Sequence, residues 1–355
     1  MLVSVIAPCR NERDHVLGFC DAVARQRLPE GTVLEVLVAE GGSDDGTREL
    51  LDARAAADAR FVRVDNPGFI VSVGLNRCIA RARGEVLVRM DLHSDYDRDY
   101  IAQCLAALAR TGAANVGGPW RAESPPAPGR ANSMQRAIAA AFQSRWVVGG
   151  ARSRDLGYEG PIETVYLGCW PRQTFERHGG FDETLVRNQD DEHNLRLCRA
   201  GALVWQSALI RSRYRPRATL GQLFAQQRQY GYWKPFVMRK HGRPGSLRQL
   251  APGGLLALLG LLALGAWASP AARAGLVALL GLYGAYAVLA SLAAVKLAGE
   301  SASESVGNSA DWAVLLRLPF VIGAYHLGYG AGSLRGWADV LLRGAPSPAF
   351  GALTR

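Results

Sequence analysis

The chain has 355 residues, 49% of them hydrophobic and 20% charged, and a formal net charge of +10. That composition supports a sizeable core and excludes wholesale disorder, while the positive balance points to acidic partners: nucleotides, phosphates, anionic lipid or nucleic acid. Six cysteines (Cys9, Cys20, Cys78, Cys104, Cys169, Cys198) form no C-x-x-C pair, which argues against a zinc ribbon or a disulfide framework and fits a reducing compartment.

The amino terminus, MLVSVIAPCRNE, has no basic leader and only a short apolar run, so it reads as a first strand and not a signal peptide. Strands are expected at 2–8, 33–39, 61–65 and 85–90, each too continuously apolar for a half-exposed sheet. Helical spacing fills 12–27, 44–58 and 71–83 between them. This alternation predicts an α/β fold, a mostly parallel sheet with helices on both faces, and ligands beyond the carboxyl ends of the strands. Those ends carry unusual residues: PCRNE at 8–12, EGGSDDGT at 40–47 and DLHSD at 91–95. Neither G-x-G-x-x-G nor a P-loop follows the first strand, which disfavours a dehydrogenase or a P-loop nucleotidase. Farther on, RAESPPAPGR (121–130) and GGARSRDLGYEG (149–160) are expected to be loops that close over a substrate or merely connect. Trp170 suits a sugar platform or the core equally.

Two stretches have no charged residue, from Arg248 to Arg273 and from Arg273 to Lys296. Each exceeds the roughly 20 residues a bilayer crossing needs. Helices are expected at about 250–270 and 274–296, joined by the hairpin ASPAARAG (268–275), with a third spanning or interfacial helix at 313–334. Arg239, Lys240, Arg243 and Arg248 crowd the entry to the first span, so the preceding residues are expected in the cytoplasm. The expected organisation is a catalytic domain over 1–235, a basic juxtamembrane segment at 236–249, a membrane region at 250–340 and a tail at 341–355. With Lys234, the basic segment suits a lipid-linked phosphate as well as a topology signal.

Four motifs in order, VSVIAPCRNE, EGGSDDGT, LNRCIARARGEVLVRMDLH and GGFDETLVRNQDDEHNLRLCRAG, resemble glycosyltransferase family 2, inverting enzymes with the A-type nucleotide-sugar fold. The resemblance covers roughly residues 1–235. Within the family, the D-x-H variant and QQRQYGYWKPFVMRKHG look like the succinoglycan-biosynthesis glucosyltransferases of bacterial exopolysaccharide pathways. The resemblance implies a nucleotide site at Pro8, Arg10, Asn11, Glu12, Glu40, Gly42 and Asp91, with Asp45 bracing the loop. It implies Mn²⁺ or Mg²⁺ on Asp91 and His93, where most members carry D-x-D. It places the catalytic base at Asp190 or Asp191, Gln189 standing where relatives have glutamate. Helix-start acidity is the plainer reading of that acidic pair.

The physical chemistry fits these roles: a divalent ion offsets charge on a leaving diphosphate, and a carboxylate accepts the proton of the attacking hydroxyl. Imidazole suits Mn²⁺, whereas Mg²⁺ prefers oxygen. Arg228, Tyr230 and Trp233 are candidates for the acceptor or a diphosphate; the Q-x-x-R-W pattern of processive synthases is incomplete there, favouring single-sugar addition. The expected partners are a UDP-sugar donor, a lipid-linked saccharide acceptor, the bacterial cytoplasmic membrane and other polysaccharide-biosynthesis proteins, and not nucleic acid. Alternatives are a polyprenyl-phosphate glycosyltransferase and a catalytically silent nucleotide-sugar-binding subunit.

Overall fold

A computed structural model of the protein describes residues 1–123, 133–301 and 312–351. Most of the proline-rich loop at 121–130 and the last residues of the tail lie outside them. The chain divides into two compact units: residues 1–121 with 155–214, and residues 122–154 with 215–355.

The first unit begins with the expected alternation: β1 (Leu2–Cys9), α1 (Arg13–Ala24), β2 (Val33–Glu40), α2 (Thr47–Ala57), β3 (Phe61–Asp65), α3 (Val71–Arg81) and β4 (Val86–Arg89). These strands pair in parallel in the order β3-β2-β1-β4. Val3, Val5, Val36, Val38 and Val88 are buried on one face and Ile6, Leu37 and Leu87 on the other, each under its own layer of helices. Burial on both faces is why the strands read as unbroken apolar runs. The register sets Cys9 beside Glu40 and Ile6 beside Arg89, so the ends of β1, β2 and β4 share one edge.

The rest of the unit is less regular. It adds β5 (Ser94–Tyr96), α4 (Tyr100–Thr111), β6 (Asn115–Gly118) and β7 (Arg121–Ala122), the last running into the second unit with α5 (Ser133–Gln143). Then come β8 (Gly160–Pro161), β9 (Tyr166–Pro171), α6 (Arg172–His178), α7 (Gln189–Arg199), β10 (Val204–Gln206) and β11 (Ser212–Tyr214). The eight-stranded sheet runs β3-β2-β1-β4-β9-β6-β10-β8, with β9 antiparallel to both neighbours. Trp170 on β9 is buried against Phe175, Phe181 and His193, which makes it a core residue.

The second unit is helical: α5, α8 (Leu220–His241), α9 (Ala251–Gly265), α10 (Pro270–Ser301), α11 (Trp312–Leu315) and α12 (Leu318–Leu342). Two stretches, Leu247–Gly265 and Pro270–Leu297, are long and apolar enough to cross a membrane, and only 6% and 17% of an apolar 18-residue window in each is buried, unlike core helices of a soluble protein. The link between them is shorter than expected. Ser269 accepts a hydrogen bond from the Ala272 amide and Pro270 opens α10, the usual chemistry of a helix start.

The third helix starts later than expected, at Leu318, and packs along α8. A Cβ on Gly332 would run into the Arg228 carbonyl, and one on Gly336 into that of Tyr232. Small residues at a four-residue spacing let the two backbones approach in this way. Tyr232 donates to Asp339 at 2.7 Å, and Arg335 and Arg343 pair with the same carboxylate.

Candidate active site

The carboxyl edge of the first unit's sheet is built from loops that bond to one another. After β1 the chain turns at Asn11 (φ 53°), a left-handed conformation that asparagine tolerates. Asn11 donates its amide to the Ser43 hydroxyl at 2.8 Å and accepts the Asp44 amide on its side-chain oxygen at 3.1 Å. Asp45 accepts from the Arg13 amide and from both the amide and the hydroxyl of Thr47, and Thr47 accepts the Glu12 amide. Asp45 thus braces the PCRNE turn against the EGGSDDGT loop. Gly42 (φ 67°) has room for no side chain, since a Cβ would lie 2.8 Å from the ring of Phe69. Arg10 sits over that same ring at 5.2 Å.

Glu40 is 1% exposed. Its Oε1 accepts the Ser43 amide at 2.5 Å, and its Oε2 accepts Nε and Nη2 of Arg48 at 3.1 and 2.9 Å. Burial opposes its charge, but the Ser43 and Arg48 bonds outweigh that and hold its carboxyl below the usual glutamate range. Among the expected nucleotide residues, Glu40 is therefore tied mainly into its own loop.

Three charged groups converge where β4 ends. Asp91 accepts Nε of Arg89 at 2.8 Å on Oδ1 and Nη2 at 3.0 Å on Oδ2, both side chains being nearly buried. Burial disfavours the Arg89 cation, yet Asp91, and more distantly Asp190, raise its pKa above the ordinary arginine value. Asp190 and Asp191 open α7 after Asn188, which is left-handed at φ 62°. Asp190 accepts the Asp191 amide at 2.9 Å, and Asp191 accepts the Thr164 hydroxyl at 3.1 Å. The two carboxylates thus differ: Asp191 is held by Thr164, while the charge of Asp190 acts on the arginine that holds Asp91.

His93 places Nδ1 3.0 Å from Oε1 of Glu12, whose Oε2 lies 4.0 Å from Nε2 of His15. A carboxylate on one ring nitrogen fixes which nitrogen carries the proton. Glu12, expected beside the nucleotide, is buried beneath this imidazole.

Among the described residues no three His, Cys, Asp or Glu side chains converge to hold a metal ion. An ionised carboxylate has about four acceptor sites, and Arg89 takes two on Asp91. This donor set fits a divalent ion shared with a diphosphate, which needs only one or two protein ligands, and does not fit an ion held by protein alone.

Arg228, Tyr230 and Trp233 lie in the second unit on α8. Trp233 is buried against Tyr232 and Phe236, Tyr230 is half-buried, and exposed Arg228 lies 5.0 Å over Phe350. Arg89 and Thr164 were not anticipated. The signal for Arg89 was a lone cation inside the apolar run EVLVRM, a position that requires a buried partner.

The model of the family Glycosyl transferase family 2 matches residues 4–164. Succinoglycan biosynthesis protein ExoA of Rhizobium meliloti (strain 1021) is 32% identical over 266 residues, which is 72% of this chain and 78% of that protein. Succinoglycan biosynthesis protein ExoM of the same organism is 28% identical over 34% of this chain and 40% of its own length. A solved structure of mannosyltransferase PcManGT from Pyrobaculum calidifontis, in complex with GDP-Man and Mn²⁺, matches with a TM-score of 0.56 at 17% identity, over 95% of this chain and 87% of that one, and so shares the fold. With its central sheet and ordered motifs, the chain has an A-type glycosyltransferase fold and belongs to glycosyltransferase family 2.

Proposed function

We propose that the chain is a membrane-anchored inverting hexosyltransferase. It moves glucose from UDP-glucose onto a saccharide carried on a polyprenyl diphosphate, in exopolysaccharide synthesis at the cytoplasmic face of the bacterial inner membrane. The observation that carries this reading is the Asp91–Arg89 pair at the end of β4 with the charge of Asp190 acting on the same guanidinium. Such a site has one group for the leaving side of the reaction and another for the attacking side. Similarity to two succinoglycan-biosynthesis proteins supports the pathway class.

In this mechanism the acceptor hydroxyl attacks the anomeric carbon in line with the departing UDP. The bond to the diphosphate breaks as the new glycosidic bond forms, and the hydroxyl proton passes to Asp190. Configuration at that carbon inverts. Arg89 and the start of α7 set positive charge near Asp190, the group placed to accept the proton. Asp191, tied to Thr164, positions the first turn of α7. Pro8, Arg10, Asn11 and Gly42 form the nucleotide side; Glu40 shapes that loop from beneath. Asp91 and His93 would hold a Mn²⁺ or Mg²⁺ ion, which when bound offsets charge on the leaving diphosphate, and Glu12 keeps the imidazole oriented.

The test is transfer from labelled UDP-glucose by the full chain in detergent with metal present. Asp190→Asn should lower transfer at least about a hundredfold with UDP binding retained, and Asp191→Asn should cost less. Full activity in both variants overturns the base assignment.

A further inference from the structure

The second unit gathers three cations around one tyrosine. The loop after α5 ends in a short 3-10 turn, Arg152–Arg154, and Arg154 lies 5.2 Å over the ring of Phe142. That ring meets Tyr325 of α12 edge-on at 5.7 Å. Arg248, in the turn Leu247–Gln249 ahead of α9, lays its aliphatic stem along Gly149, where a Cβ would stand 3.5 Å from its Cβ and Cδ. Gly149 is left-handed at φ 64°, so the backbone itself makes room for that stem. Lys234 on α8 is 5% exposed. The positive charges of Arg154, Arg248 and Lys234 all act on the Tyr325 hydroxyl.

Four separate segments deliver these groups, so the cluster is a product of the fold and not of a local basic run. The cations keep other bonds within the protein, but a dianion among them would gain from all three at once. Guanidinium forks favour the paired oxygens of a phosphate, and a tyrosine hydroxyl adds a neutral donor. The place matters as much as the charge. Arg248 belongs to the first stretch able to cross a membrane, so an anion bound here can carry an apolar tail directly into lipid.

We propose that Arg154, Lys234, Arg248 and Tyr325 form a binding site for the diphosphate headgroup of a polyprenyl lipid. The proposal rests on the reading above that the acceptor is lipid-linked, and it assigns that recognition to the second unit, apart from the nucleotide loops.

The experiment measures binding of farnesyl diphosphate to the full chain in neutral detergent, with saturating UDP present to fill the nucleotide site. Arg154→Gln and Arg248→Gln should each weaken binding about tenfold, with UDP affinity and thermal unfolding unchanged. Arg154→Lys, which restores the charge, should recover most of the loss. Wild-type affinity in both Gln variants overturns the site. Inorganic pyrophosphate binding as tightly as farnesyl diphosphate would make it a free-anion site, and equal competition by phosphatidylglycerol micelles would make it a general headgroup site; either result overturns the assignment. If the Gln variants lose farnesyl diphosphate while no sugar transfer is detected in any assay, the site stands and the proposed reaction falls.

Discussion

Two carboxylate–arginine pairs, at the end of β2 and just beyond β4, differ in kind. Glu40 with Arg48 is closed by an arginine whose side chain is 48% exposed, and a loop amide shares the carboxylate. Asp91 with Arg89 is closed by an arginine that is itself buried and also feels Asp190. Arg48 is half-exposed, so removing it opens the buried Glu40 carboxylate to water while the Ser43 amide still holds it. Removing Arg89 instead leaves Asp91 a nearly buried charge without its cation. A brace for a loop and a centre able to do chemistry are therefore told apart by where the cation sits, not by the carboxylate.

The largest effect expected from this contrast is on Arg89. Arg89→Met should lower unfolding stability by about 3–5 kcal/mol, read as a drop in the denaturant midpoint. A loss under about 1 kcal/mol would erase the distinction. Glu40→Gln should cost about 1–3 kcal/mol, because Arg48 and the Ser43 amide lose a charged acceptor, and should weaken UDP binding through the loop.

Acid sharpens the same pair. The folded-state pKa of Glu40 is depressed, so the stability it contributes is fully present above its ordinary value of 4.5 and is lost as pH falls through the lower folded value. Wild type should therefore lose more stability than Glu40→Gln when both are titrated below pH 4.5; parallel acid limbs would contradict the account. The smallest effect belongs to Arg48→Gln, expected at about 1–2 kcal/mol, because water can enter where the half-exposed guanidinium stood but the Glu40 carboxylate is buried.

The half of the sheet that ends in these pairs was legible in the sequence, and the other half was not. β1, β2 and β4 are buried on both faces and announce themselves as apolar runs, with β3 a short run at the sheet edge. In contrast, β6 reads NVGG and β9 reads YLGCWP, with glycines that blur any strand pattern; β10 has only three residues. The reversal of β9 depends on tertiary pairing that no local signal records. At the site, the order of motifs placed Asp91, His93 and Asp190 at strand and helix ends. What stayed hidden was the pairing among them: that Arg89 faces Asp91, and that Glu12 is buried against His93. The turn at Asn11 just before Glu12 is left-handed, which composition does not reveal. In the second unit the uncharged runs showed two helices long and apolar enough to cross a membrane, while the role of α12 as the partner of α8 needed the glycine contacts with backbone carbonyls.

The central claim is a single displacement at the anomeric carbon, and product stereochemistry tests it most directly. Transfer from UDP-α-glucose to a lipid-linked saccharide should yield a β-linked product, visible in the anomeric proton coupling by NMR, and Asp190→Asn should abolish its formation. An α-linked product would contradict the account, because retention requires a second displacement at the anomeric carbon.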